Sequence, residues 1–119
     1  MATRRPSPKP RIFTYEEALE SFPAVRDLTA AAVRQVEAVV GQVEGPEEMA
    51  ALKDELEAAC DRIVQAWALE IRRLGCEVKG LWLVDWDCGH GYYCWRHPEE
   101  TVCFFHGYEE GFAGRVAVV

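Results

Sequence analysis

A chain of 119 residues, half of them apolar and four of them tryptophan, is long enough for one modest hydrophobic core and too apolar for a disordered protein. The formal charge is -7, and four of the 13 basic residues (Arg4, Arg5, Lys9 and Arg11) fall in the first eleven positions, leaving nine basic against 20 acidic in the rest. That acidic body argues against broad nucleic-acid or anionic-membrane binding, because neutralising phosphates takes clustered Lys and Arg.

Residues 1–11 read as a disordered basic leader, broken by Pro6, Pro8 and Pro10. Order is expected over 12–119 as a single α+β domain, with a helical part over 12–75 and a sheet part over 80–119. Thr14 to Glu17 carries the capping-box pattern, in which the hydroxyl accepts from the N3 amide and the glutamate reaches back. A short helix to about Phe22 follows, and Pro23 either kinks it or opens the next helix at its favoured first position.

From Val25 the apolar residues Leu28, Ala32, Val36, Val40 and Val43 recur at steps of three and four, the signature of one helical face. Gly45-Pro46 breaks the pattern. A second stripe runs Met49, Leu52, Leu56, Ala59, Ile63, Trp67, Ile71 and Leu74, with Gly75 as C-cap. Two long helices with a short break between them must run antiparallel.

After Gly80 the period falls from 3.6 to 2. Leu81–Trp86, Gly91–Arg96 and Thr101–His106 read as a three-stranded antiparallel meander, and Val116–Val119 as a short fourth strand. The fold class is therefore α+β: a short helix, then a long antiparallel helical hairpin, packed on a small three- to four-stranded antiparallel sheet.

Five cysteines, an odd number, with no apolar segment behind Arg4-Arg5, argue for reduced thiols in a cytoplasm rather than a disulfide framework. The Ala/Glu/Arg/Val-rich composition suits a bacterial protein. No apolar run approaches the ~20 residues needed to span a bilayer.

Most of the chain after the leader resembles a known family, with the likeness carried by its two ends. Phe13-Thr14-Tyr15-Glu16-Glu17-Ala18 and Pro23 look like the opening helix of the bacterial domain-of-unknown-function 2203 family. Val84-Asp85-Trp86, Cys94-Trp95-Arg96, Glu99, His106 and Gly111-Phe112-Ala113-Gly114-Arg115 look like its closing pattern, in order and at similar spacing. Pro98 and Phe105 depart from it, standing where the family commonly has Gly and Trp. The resemblance implies a helical hairpin with a sheet. It implies no activity.

Chemistry-bearing residues concentrate in the sheet part. Asp85, Cys88, His90, Cys94, Glu99, Cys103 and His106 are the residue types that ligate zinc. Two Cys-x-x-His units, Cys94 to His97 and Cys103 to His106, do not chelate from a strand, where residues three apart face opposite ways. A two- or four-residue loop around Pro98-Glu99 would set Cys94 opposite Cys103 as a thiol pair, and a three-residue loop would not.

The ionisable members of the family-like pattern are Asp85, Glu99, His106 and Arg115. Asp85, Glu99 and His106 are the candidate ligands for a divalent metal, or an acid/base pair of His106 with either carboxylate. Arg115 is the candidate for a bidentate salt bridge pinning the C-terminal segment to the sheet, with His106 hydrogen-bonded beside it. The aromatic residues of the sheet exceed what one face can bury, which predicts a second subunit on the other face and hence a homodimer. The function expected is a non-catalytic binding or assembly module, the alternative being a metal-binding protein or metal-dependent enzyme.

Overall fold

The structure is a computed structural model and describes residues 11–118. Helix α1 (Tyr15–Gly41) and helix α3 (Lys53–Arg73) form the hairpin, joined through a short helix α2 (Gly45–Ala51). Five strands follow in chain order: β1 (Glu77–Gly80), β2 (Leu83–Asp87), β3 (Tyr92–Arg96), β4 (Phe104–His106) and β5 (Val116–Ala117). They pair as one antiparallel sheet in that same order.

The start of α1 is set locally. Thr14 Oγ1 accepts from the Glu17 amide at 3.1 Å, and Glu17 Oε1 accepts from the Thr14 amide at 2.9 Å, so two of the orphan donors of the first turn are satisfied. Ala18, Phe22, Val25, Thr29 and Ala32 form the buried stripe of α1, and Trp67, Ala68 and Ile71 that of α3. Both press on Val84, Trp86 and Trp95 of the sheet. Phe22 meets the Trp95 ring edge-on at 5.3 Å, Tyr15 packs on Tyr93 at 5.2 Å, and the Tyr15 hydroxyl donates to the Val102 carbonyl at 2.6 Å. Alternation along the strands therefore sends Val84, Trp86, Tyr93 and Trp95 inward, and Asp85, Tyr92, Cys94, Phe104 and His106 to the outer face.

The structure corrects three expectations. First, no separate short helix precedes the hairpin: α1 runs unbroken through Pro23. Pro23 is solvent-exposed while its neighbours Phe22 and Val25 are buried under the sheet, so packing on the inner face holds the helix together where a donor is missing on the outer one. The short helix lies instead between the long ones.

Second, the sheet has five strands. Glu77–Gly80, which carries two charges and a glycine, forms an edge strand that joins β2 by a two-residue turn, with Trp82 at φ 58. The Trp67 ring, edge-on to Trp82 at 4.9 Å, helps hold that left-handed conformation. Residues 101–103 lie outside β4, and β5 is two residues long.

Third, Cys103 does not stand opposite Cys94. The register of β3 and β4 pairs Cys94 with Phe104, because the connection between them runs from His97 to Cys103 and is longer than a tight hairpin. All five cysteines are free. The leader lies outside the described residues except for Arg11, whose guanidinium sits over the Phe13 ring at 4.3 Å and pairs with Glu17 at 3.4 Å.

Candidate functional site

Three outer-face residues from adjacent strands converge. The turn at Gly89-His90 is a two-residue hairpin closed by the Cys88 amide on the Gly91 carbonyl at 2.9 Å, with Gly89 at φ +94. That turn fixes the β2–β3 register and sets Asp85 directly opposite Cys94. His106 of β4 pairs with Tyr92 of β3, which lies two residues along the same face from Cys94. One ligand atom each of Asp85, Cys94 and His106 lies within 4.8 Å of the others, and all three residues are buried.

Hydrogen bonding orients the imidazole. His106 Nδ1 is 2.9 Å from the Gly107 carbonyl, which can only accept, so Nδ1 carries a hydrogen and Nε2 faces Asp85 Oδ2 at 2.8 Å. One proton shared between Nε2 and Oδ2 satisfies that contact. Asp85 Oδ1 has no hydrogen-bond partner among the described residues, although Asp85 is fully buried. Burial pushes the Asp85 carboxyl above its ordinary value, with the Cys94 thiol and His106 pulling the other way. Burial likewise pushes the Cys94 thiol up to about 12, the neighbouring Asp85 adding to the rise and Arg115 opposing it.

Glu99 stands apart from this cluster. Both of its oxygens accept from Arg115, each at 2.9 Å, and Oε1 also accepts from the Arg96 amide at 2.7 Å. Arg115 lies between the Phe104 and Phe112 rings, 4.1 and 3.9 Å from their centroids, and reaches Cys94 Sγ at 4.0 Å. Burial raises the Glu99 carboxyl, but the Arg115 and Arg96 hydrogen bonds outweigh it and hold the group below its usual range.

The segment Tyr108–Arg115 thus lies over part of the outer sheet face, where a second subunit was expected. Between that segment and the sheet is a cavity of about 390 Å³ bordered by Asp85, His106, Tyr92, Tyr108, Glu110 and Phe112. Of the other sequence candidates, Cys88 donates its thiol to the Gly91 carbonyl and His90 is exposed in the turn, so neither joins the cluster.

Of the residues expected together, Asp85 and His106 lie in contact and Glu99 lies apart with Arg115, while Cys94, expected among the zinc-type ligands and opposite Cys103, stands beside Asp85 and His106. The signal was present. Reading Gly89-His90 as a two-residue hairpin pairs 85 with 94 by counting alone.

A second surface lies at the far end of the hairpin. Val40, Met49 and Leu52 are each more than a third exposed. Val40, Met49, Lys53, Leu56, Glu57 and Cys60 line a groove of about 310 Å³.

Fold and site together define a small α+β domain with a helical hairpin on an antiparallel sheet and a buried polar triad on the outer face. Residues 11–118 match the family described as "Uncharacterized conserved protein (DUF2203)", and the chain belongs to that family. No curated protein and no solved structure matches the chain. No helix among the described residues is long and apolar enough to cross a membrane.

Proposed function

We propose that the protein is a binding and assembly module of the bacterial cytoplasm that works as a homodimer, by contact rather than by turnover. The observation that carries this reading is the apolar stripe of the hairpin, which continues past the sheet with nothing among the described residues to cover it. The buried residues of α1 end at Ala32, and those of α3 begin at Trp67, while Val40, Met49 and Leu52 stay exposed at the tip. A stripe of that kind on paired helices is stabilised by burial against further helices.

A second copy of the chain is the occupant that charge favours. The first part of α3, Lys53–Asp61, carries a net of -3, and the last part, Arg62–Arg73, a net of +2. Two copies of α3 laid antiparallel about a two-fold axis bring these opposite charges together, which a parallel pairing does not.

Sedimentation velocity over a dilution series tests the reading. The parent is expected to be a dimer, and the paired substitution Met49→Glu with Leu52→Glu a monomer of unchanged helix content. A parent that stays monomeric throughout, or a doubly substituted chain that stays dimeric, overturns it.

A further inference from the structure

The outer-face triad carries an inference independent of the dimer. We propose that Asp85, Cys94 and His106 form a binding site for a divalent cation of the zinc class, with one coordination position turned toward the cavity beneath Tyr108–Arg115. Four observations support it.

The first is the donor set. One thiol, one imidazole and one carboxylate, from three neighbouring strands, have their ligand atoms within 4.8 Å of one another. Sulfur and nitrogen donors suit a borderline-soft cation and not magnesium or calcium, which take oxygen.

The second is the orphaned oxygen. Asp85 is 0 % exposed, and among the described residues its Oδ1 has no hydrogen-bond partner. A buried carboxylate oxygen without a donor is rare enough to need an explanation, and a bound ion supplies one.

The third is the backing of the histidine. Nδ1 is committed to the Gly107 carbonyl, which turns Nε2 toward the cluster, where an ion would replace the proton it shares with Asp85 Oδ2. Metal-binding histidines are oriented by such a bond on the far nitrogen, which fixes both tautomer and ring plane.

The fourth is charge. Once an ion displaces the Cys94 thiol proton to solvent, a thiolate, a carboxylate and a neutral imidazole would carry two negative charges, matching a divalent ion. Of the nearby cations, Lys79 pairs with Glu77 at 3.1 Å, and Arg115 is neutralised by its bidentate contact with Glu99 and turns one N–H toward the Cys94 sulfur. It steadies a thiolate there without adding an uncompensated charge.

Three protein ligands leave a fourth position for water or a small ligand, as in open zinc sites. Asp85 and His106 border the cavity and Cys94 does not, so that position lies on the cavity side.

The test uses the full chain, stripped with chelator and titrated separately with zinc and cobalt(II). The expected result is one ion per chain, with a thiolate-to-cobalt charge-transfer band and the intense visible bands of tetrahedral cobalt. Cys94→Ser is expected to lose the sulfur band. His106→Ala and Asp85→Asn are expected to lose stoichiometric binding, with far-ultraviolet circular dichroism confirming that each is folded. Glu99→Gln is expected to keep both stoichiometry and band, since Glu99 belongs to Arg115. The proposal is overturned if the folded parent binds neither ion, if cobalt binds without a sulfur band, if Cys94→Ser keeps the band, or if folded Glu99→Gln loses the metal. The parent spectrum decides the matter even where a variant fails to fold.

Discussion

Trp67 donates its indole N–H to Thr29 Oγ1 at 2.8 Å, and the same hydroxyl donates to the Val25 carbonyl at 2.7 Å. One buried hydroxyl thus ties α3 to α1 in the middle of the core. Thr29→Val keeps the shape but leaves the indole donor without a partner. It is expected to lower unfolding stability by about 1–3 kcal/mol. Thr29→Ser, which keeps the hydroxyl, is expected to lose only about 1 kcal/mol for the missing methyl. Urea melts of both variants check the ordering, and equal losses would show that the bond contributes nothing beyond volume.

Gly91, just before β3, marks where the chain approaches β4 too closely for a side chain. A Cβ there would lie 2.5 Å from the His106 carbonyl oxygen and 2.6 Å from the Phe105 ring. Backbone cannot yield cheaply, so Gly91→Ala is expected to cost about 1–3 kcal/mol through overpacking. Because His106 is at the contact, the same variant should also weaken metal uptake, whereas Gly111→Ala, with nothing near its position, should do neither. Thermal melts and a cobalt titration of the pair separate the two.

Pro23 sits in the interior of α1 on an exposed face. Replacing it with alanine restores a backbone donor and the best helix former, partly offset by a more flexible unfolded chain. Pro23→Ala is expected to raise stability by about 1–2 kcal/mol. A lower melting point than the parent would mean that the proline shapes α1 in a way its neighbours require.

Glu99 and Arg115 predict an acid dependence. The folded Glu99 carboxyl is held below its ordinary value of 4.5 by hydrogen bonds that outweigh burial. Its contribution to stability is therefore fully present above the unfolded value and fades as the pH falls through the lower folded one. Arg115→Met removes the main hydrogen-bonding partner and should flatten the stability curve in that window, with a loss on the order of 1–3 kcal/mol at neutral pH. Denaturation at a series of pH values between neutrality and the acid limb measures both. An unchanged slope would place the acid sensitivity elsewhere.

Legibility in the sequence followed the range of the interactions. The Thr14–Glu17 capping box and the helical period of the two stripes depend on neighbours three and four residues away and read directly, although the second stripe breaks at Leu52 into α2 and α3, and only Val25, Ala32, Trp67 and Ile71 of the expected residues are buried. Pro23 misled because its local preference was overridden by Phe22 and Val25, whose partners lie in the sheet. The edge strand β1 was illegible for the opposite reason. Glu77, Lys79 and Gly80 carry little strand preference, and pairing with β2 on one side is what makes them a strand. The triad depended on register. Asp85 meets Cys94 through a turn that spacing specifies, but Glu99 meets Arg115 only once the chain beyond His106 has folded back over the sheet, and no periodicity encodes that return.

That return has a bearing on how the molecule can be altered. With Tyr108–Arg115 closed over the outer sheet face and the core confined to one end of the hairpin, the tip between Val40 and Asp61 shares almost nothing with the polar triad. A change of partner at the tip leaves the triad's strands untouched, and a change in the triad leaves the tip's surface as it was. The hairpin can therefore be shortened, lengthened or re-surfaced as an interchangeable handle, while the sheet end keeps its own chemistry.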